Sequence, residues 1–166
     1  MKKAIMVAVM VSLATVAFSQ TLEDTASIRL SGRVEKYVSI VVSGLNNYDS
    51  LDLTVDVDNL AVVSVIEKSN VREGYTVSLT SANATAGGTE NAFFLGAAGG
   101  EELTYLIEYD GTPVSFNGGL AEITNSNNKT GFVGTERTLA ISYSAAEAHL
   151  GNDDYHDDLT FTITAK

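Results

Sequence analysis

The chain has 166 residues, of which 21 are acidic and 10 are basic, and it contains one Pro but no Cys or Trp. This length allows one domain or at most two, and a hydrophobic content of 45% is too high for a disordered chain. The absence of Cys excludes disulfides, thiolate nucleophiles and Cys-type metal sites. A net charge of −11 argues against nucleic acid and anionic lipid surfaces as partners, because both select clusters of Lys and Arg.

Residues 1–19 have the pattern of a secretory signal peptide. Lys2 and Lys3 precede an apolar run from Ala4 to Phe18, which is shorter than the roughly 20 residues of a membrane-spanning helix. Small residues favour cleavage before Gln20, although cleavage after Ala17 also fits, and a retained anchor is the alternative. The removed segment carries two Lys and no acid, so the exported chain 20–166 has a net charge of −13. We expect no membrane insertion after cleavage.

Alternation of apolar and polar residues with period two runs through residues 20–166 and predicts half-buried strands. The segment from Leu22 to Val34 alternates first, and Val38 to Val42 follows after a break at Glu35 and Lys36. The other predicted strands are Leu51 to Val57, Tyr75 to Leu79, Leu103 to Tyr109, Leu139 to Tyr143 and Leu159 to Ala165. Asp52, Asp56 and Asp58 would form the solvent face of the strand that begins at Leu51.

Turn residues separate these runs, and Asp110-Gly111 is the strongest signal for a hairpin because both residue types tolerate positive φ. Only Ala145 to Leu150 has helical composition, enough for about one turn. Since no strand, long helix, strand pattern occurs, we predict an all-β, antiparallel sandwich of about seven or eight strands in a single domain, residues 20–166.

Residues that could carry out catalysis are sparse. His149 and His156 are the only histidines, and neither accompanies a Gly-x-Ser-x-Gly elbow. The densest acidic run comprises Asp153, Asp154, Asp157 and Asp158, and it is a weak candidate for binding Ca²⁺ because its spacing matches no EF-hand. A solvated loop is the simpler interpretation. We predict no catalytic residue, no cofactor and no enzyme activity, with a hydrolase as a minor third hypothesis.

Residues 20–34 form an alternating segment that a generic sandwich does not require. They form an N-terminal arm whose apolar face comprises Leu22, Ala26, Ile28, Leu30 and Val34, with Gly32 where backbones could approach closely. A strand with one apolar face can add to the free edge of another sheet. Two interpretations stay open: the arm is donated to a neighbour, or it is the first strand of its own sandwich.

Short motifs in this chain resemble those of chaperone–usher pilins, particularly the archaic, spore-coat-U-like branch. They are Gly74-Tyr75-Thr76-Val77-Ser78-Leu79 and the ending Tyr155-His156-Asp157-Asp158-Leu159-Thr160-Phe161-Thr162-Ile163-Thr164. The order of signal, arm and sandwich strands is also similar. Many of those pilins pin their early strands with a disulfide, which this chain lacks.

The resemblance implies an immunoglobulin-like sandwich that lacks its last strand and is completed by donor-strand addition. The arm residues Leu22, Ala26, Ile28, Leu30, Gly32 and Val34 would enter a neighbour's groove, and Leu159, Phe161, Ile163 and Ala165 would form one wall of that groove. The implied partners are other pilin subunits, a periplasmic chaperone and an outer-membrane usher. The implied location is the periplasm in transit and then a surface fimbria or coat. The alternative is a self-contained secreted sandwich that binds a glycan, Ca²⁺ or a protein.

Overall fold

The computed structural model describes residues 23–46, 48–98, 100–145, 150–151 and 153–166. The predicted signal peptide, Leu22, His149 and most of the predicted helical turn at Ala145 to Leu150 lie outside the described residues. The chain divides into two units, Met1–Arg33 and Val34–Lys166. In the first unit, the described residues 23–33 form no helix or strand, and their side chains are exposed.

The second unit is an antiparallel all-β sandwich, which confirms the predicted class. Its described residues form ten strands and one helix: β1 Val38–Gly44, β2 Val57–Ser69, β3 Tyr75–Ser81, α1 Ala82–Gly87, β4 Ala92–Gly96, β5 Glu102–Tyr109, β6 Thr112–Val114, β7 Leu120–Ser126, β8 Thr135–Tyr143, β9 Tyr155–His156 and β10 Leu159–Ala165. One sheet has the order β1-β2-β8-β5-β4-β9, with β6 paired to β5. The other has the order β10-β3-β7.

The core contains the inward side chains of both sheets. On β3, Val77 and Leu79 are fully buried between partly exposed polar neighbours. On β5, Leu103 and Ile107 are likewise buried, and their neighbours in the strand are exposed or partly exposed. Because side chains alternate between the faces of a strand, this period-two pattern places one apolar face of each sheet in the core. The strands predicted around β1, β3, β5, β8 and β10 are therefore confirmed.

The strand predicted from Leu51 to Val57 is wrong. The structure begins β2 at Val57, and the preceding residues form a turn in which the Asp52 carboxylate accepts hydrogen bonds from the Thr54 backbone N–H and hydroxyl. An Asp side chain that bonds two residues ahead favours a turn over an extended strand. The predicted row of Asp52, Asp56 and Asp58 on one strand face therefore does not exist, since only Asp58 lies in a strand.

Strand β2 after Val57, strands β4, β7 and β9 and helix α1 lie where no element was predicted. Two irregularities interrupt the pairing of β2 with β8, between Val57 and Leu60 and between Ala61 and Val63, so the apolar run of β2 does not alternate. Helix α1 is short, and its ends are set by local chemistry. The Ser81 hydroxyl accepts from the Ala84 N–H, and Gly88 ends the helix with φ 64°.

The predicted Asp110-Gly111 turn is present between β5 and β6. Both residues have positive φ, 52° and 74°. This conformation matches the twist of the two flanking strands. Among the described residues, no helix is long and apolar enough to cross a membrane.

Candidate functional site

Strands β1 and β10 each have one edge without a strand partner in the described residues. β1 pairs only with β2 in one sheet, and β10 pairs only with β3 in the other. The two strands run close together at the open side of the sandwich. At one end, the Lys36 ammonium, two residues before β1, donates to the carbonyl of Lys166, the residue after β10, at 3.0 Å. The gap between β1 and β10 is the candidate site, and we call it the groove.

A cavity of about 360 Å³ opens in the groove. Its walls include Val42 and Gly44 of β1 and Leu159 and Phe161 of β10. Val62, Tyr105 and Ile141, from the same sheet as β1, lie among its other lining residues. This volume is within the usual range of about 300–1,000 Å³ for a binding pocket, and its lining is largely apolar.

The apolar side chains along the groove are only partly covered. Val42 is 47% exposed, and Leu159, Phe161 and Ile163 are half-buried, whereas Val77 and Leu79 of the central strand β3 are fully buried. A strand in the middle of a sheet has covered neighbours on both sides, and an edge strand does not. The four residues predicted to form one groove wall are on β10, and three of them, Leu159, Phe161 and Ile163, are half-buried on one face, while Ala165 is exposed.

The described part of the arm does not form the predicted half-buried strand. Residues 23–37 have no strand assignment, and Ile28 and Leu30 are 85% and 87% exposed. Ala26, Gly32 and Val34 are exposed as well, while Leu22 lies outside the described residues. An extended segment becomes a strand only where its backbone pairs with another strand, and the described residues 23–34 contain no strand in this structure.

The acidic run before β10 has a structural part in the described fold. The Asp157 carboxylate accepts hydrogen bonds from the Ser81 hydroxyl at 2.7 Å, the Tyr105 hydroxyl at 2.7 Å and the Asn83 N–H at 3.1 Å. These bonds fasten the start of β10 to the first turn of α1. Burial, and next the charge of Asp157, raise the pKa of Tyr105 above its usual range.

The other acids of this run divide between a turn and the surface. Asp153 accepts from the Ala98 N–H at 2.6 Å and the Asp154 N–H at 2.9 Å, while Asp154 and Asp158 are exposed. Within the described residues, no group of three or more His, Cys, Asp and Glu side chains is arranged to hold a metal ion. His156 is exposed on β9.

A second cavity, of about 970 Å³, adjoins the groove and shares Tyr48, Leu51, Phe94 and Asp157 with it. Its other lining residues include the acidic side chains Asp49, Asp52, Asp153 and Asp154. The end of the groove near the start of β10 is therefore strongly acidic.

Of the four β10 residues that the resemblance implied as a groove wall, Leu159 and Phe161 line the cavity. The residues that line it from other elements were not predicted. Val42 lies inside a predicted strand. It is exposed because, in the described residues, β1 has a strand partner on one side only. Phe94 lies on the unpredicted β4, and Tyr48 and Leu51 lie in the irregular segment before β2. The Asp157 contacts could have been suspected only from the density of acids.

No protein-family model matches this sequence, and a search of curated proteins gives no match either.

Proposed function

We propose that this chain is a non-catalytic structural subunit of an exported surface fibre, in which the groove of one subunit accepts the arm of the next. The observation that carries the proposal is that β1 and β10 each have an edge without a partner among the described strands, while the same chain has an exposed, alternating arm. A strand placed between β1 and β10 would pair with backbone groups that have no strand partner in the described residues.

The arm has the chemistry that the groove requires. Its even-numbered residues Ile28, Leu30 and Val34 are apolar and exposed, and the half-buried Leu159, Phe161 and Ile163 of β10 would cover them. In an added strand, every second side chain points to the same face, so these arm residues would enter the groove together. Gly32 has open space around its Cβ position and would allow a close backbone approach.

Such an arm-in-groove contact is head-to-tail and does not close, so repeated addition produces a fibre. Withdrawal of the arm would break a whole row of backbone hydrogen bonds at once, which gives the polymer kinetic stability. We place the chain in the chaperone–usher class, with a periplasmic chaperone covering the groove first and an outer-membrane usher assembling the fibre. The support is the resemblance in sequence motifs and the signal pattern of residues 1–19.

The test compares two variants that add the same charge to opposite faces of the arm. Ile28→Asp with Leu30→Asp alters the apolar face, and Ser27→Asp with Ser31→Asp alters the polar face. We expect the first to abolish SDS-resistant ladders of exported chain and the second to keep them. Deletion of residues 20–34 should also abolish the ladders while leaving chaperone binding intact. Ladders that persist after the deletion would show that the donor role is wrong.

A self-contained secreted sandwich that binds a glycan, Ca²⁺ or a protein is the second candidate. The acidic cavity of about 970 Å³ beside the groove favours it, because a fibre subunit does not require such a cavity. This candidate predicts that the mature chain, expressed without any helper, is a stable monomer. A sharp monomer on sizing, with no ladder in SDS, would support it against the fibre proposal.

A further inference from the structure

The arm and the groove both have an uneven distribution of charge. The first described residues of the arm are the acids Glu23 and Asp24, and its bases, Arg29 and Arg33, come later. The groove is acidic where β10 begins, since Asp157 and the exposed Asp158 line its cavity. The exported chain has eight Lys and Arg residues, so two in the arm are a substantial share.

The other end of the groove carries both signs. The Lys36 ammonium lies 3.7 Å from the Glu73 carboxylate, and the Lys166 ammonium binds the side-chain oxygens of Asn125 and Asn127. The named charges at this end are two ammonium groups and one carboxylate, so it lacks the acidic excess of the other end. The acidic end therefore decides how charge acts on a strand entering the groove.

We infer that the groove selects the arm of a second copy of this chain by charge, with the arm antiparallel to β10 and its arginines at the Asp157–Asp158 end. This inference rests on the proposed function. In the opposite direction, Glu23 and Asp24 would lie beside Asp157 and Asp158, and like charges on neighbouring strands repel. β10 has seven residues, about the distance along the arm between its acids and its arginines, so opposite ends of the arm meet opposite ends of β10.

The strand faces on which the charged side chains lie agree with the antiparallel arrangement. If Ile28 and Leu30 point into the groove, the odd-numbered Arg29 and Arg33 point outwards. On β10, the inward residues Leu159 and Phe161 are odd-numbered, so the exposed Asp158 shares the outward face. An outward charge pair at the rim acts mainly on the rate and direction of capture rather than on final stability.

The charge experiment measures capture of a fluorescent peptide of residues 20–34. The acceptor is the mature full chain carrying Ile28→Asp and Leu30→Asp, so that it does not donate its own arm. With the unaltered peptide, we expect SDS-resistant complex to form about tenfold faster than with a peptide carrying Arg29→Glu and Arg33→Glu at about 20 mM NaCl. At about 500 mM NaCl the two rates should be similar, because salt screens exposed charges. A peptide with Arg29→Lys and Arg33→Lys should behave like the unaltered one.

Charge reversal in the acceptor provides the matched test. Asp158→Lys should remove or reverse the preference for the unaltered peptide, whereas Glu102→Lys, the same charge change at an exposed position that lines neither cavity, should not. Equal rates for both peptides at low salt, or a preference that Asp158→Lys leaves unchanged, would overturn the inference and leave the proposed function intact. Failure of the unaltered peptide to form any complex would instead overturn both.

The direction of the bound arm is measured separately by disulfide cross-linking. Native Cys residues do not interfere, because the chain has none. A peptide with Ser31→Cys should cross-link to an acceptor with Thr160→Cys, near the start of β10, and much less to one with Thr164→Cys near its end. A disulfide requires Cα atoms within about 7 Å, so the two acceptors discriminate between directions. The reverse preference would overturn the antiparallel arrangement.

Discussion

Glu67 on β2 has a fully buried side chain that links strands from both sheets. Its carboxylate accepts hydrogen bonds from the hydroxyls of Tyr75 and Tyr109 at 2.8 Å each and of Thr124 at 2.7 Å. The Arg137 Nε lies 3.9 Å from Oε2 of the same carboxylate. A buried charge is tolerated when several donors surround it, and this carboxylate has them.

Glu67→Gln should therefore destabilise the sandwich. The new amide group would place N–H donors against hydroxyls that already donate, and we expect a loss of about 2–3 kcal/mol in the free energy of unfolding. Glu136→Gln is the control, because Glu136 is exposed and bonds only the Ser64 hydroxyl among the described contacts. Its cost should stay within about 0.5 kcal/mol. Urea unfolding measures both free energies. Equal unfolding midpoints for the two variants would mean that the buried hydrogen bonds of Glu67 add no stability.

The tyrosines that bond the carboxylates of Glu67 and Asp157 should make the fold sensitive to alkali. Burial, and then the hydrogen bond to Glu67, raise the pKa of Tyr75 to about 12. Burial raises the pKa of Tyr105 and Tyr109 as well. Between pH 10, near the pKa of an unfolded tyrosine, and pH 12, the folded chain holds more protons than the unfolded chain, so stability falls as pH rises.

We expect the free energy of unfolding to lose this contribution from about pH 10 upwards, with no loss from these groups at neutral pH. Tyr75→Phe should make the decline shallower, although the variant is less stable at pH 7. Denaturant unfolding at a series of pH values measures the slope. A slope between pH 10 and 12 that is identical in the variant would contradict the assignment to Tyr75.

Turns set how the chain passes between the two sheets, as at Gly74 between β2 and β3. Gly74 has φ 99°, and an added Cβ would lie 1.9 Å from the Ser126 carbonyl oxygen at the end of β7. Gly111 also has positive φ, 74°, but nothing lies within 4 Å of its Cβ position. The two glycines therefore separate the effect of backbone conformation from the effect of contact.

Gly111→Ala should cost about 1–2 kcal/mol, the strain of a left-handed residue alone. Gly74→Ala adds a clash with backbone, and we expect about 4 kcal/mol or more, or failure to accumulate folded protein. Thermal and urea unfolding of both variants provide the comparison. Similar costs at the two positions would show that β7 moves freely away from the turn.

The elements with clean alternation could be predicted, and the others could not. Two examples are the strands Tyr75 to Leu79 and Leu103 to Tyr109. Each has one face in the core and one outside, so apolar and polar residues alternate along the sequence. β2 lies between β1 and β8 and is bulged, so its apolar residues run together. Leu51 to Val57 alternates as well as any strand, but the side-chain hydrogen bonds of Asp52 hold its first residues in a turn.

At the scale of the whole molecule, the groove can be filled within one chain. We expect that an Asn-Gly turn and a copy of residues 25–34, added after Lys166, will fold back antiparallel to β10 and pair with its free edge. In this register Thr25 lies opposite Lys166 and Ile28 lies opposite Ile163, so the apolar face of the copy enters the groove. The result should be a monomer with a higher Tm than the unextended chain, because the half-exposed side chains of β1 and β10 become buried.

The control extension carries Ile28→Asp and Leu30→Asp in the added copy only. It has the same length and turn but offers charges to an apolar groove, so its Tm should stay near that of the unextended chain. Thermal unfolding and size-exclusion chromatography compare the three proteins. If both extensions raise the Tm equally, burial of the apolar face is not the cause.

The sequence by itself determined the all-β class, the positions of five alternating strands, the hairpin at Asp110-Gly111 and the amphipathic character of the arm. These are local properties, because alternation and turn type are determined by residues that are close together in the sequence. Only the tertiary structure decided that β1 and β10 each have an edge without a strand partner among the described residues, that a groove lies between them and that Asp157 fastens its acidic end to α1. Which edge lacks a partner depends on strand order, and strand order is set by contacts between residues far apart in the chain.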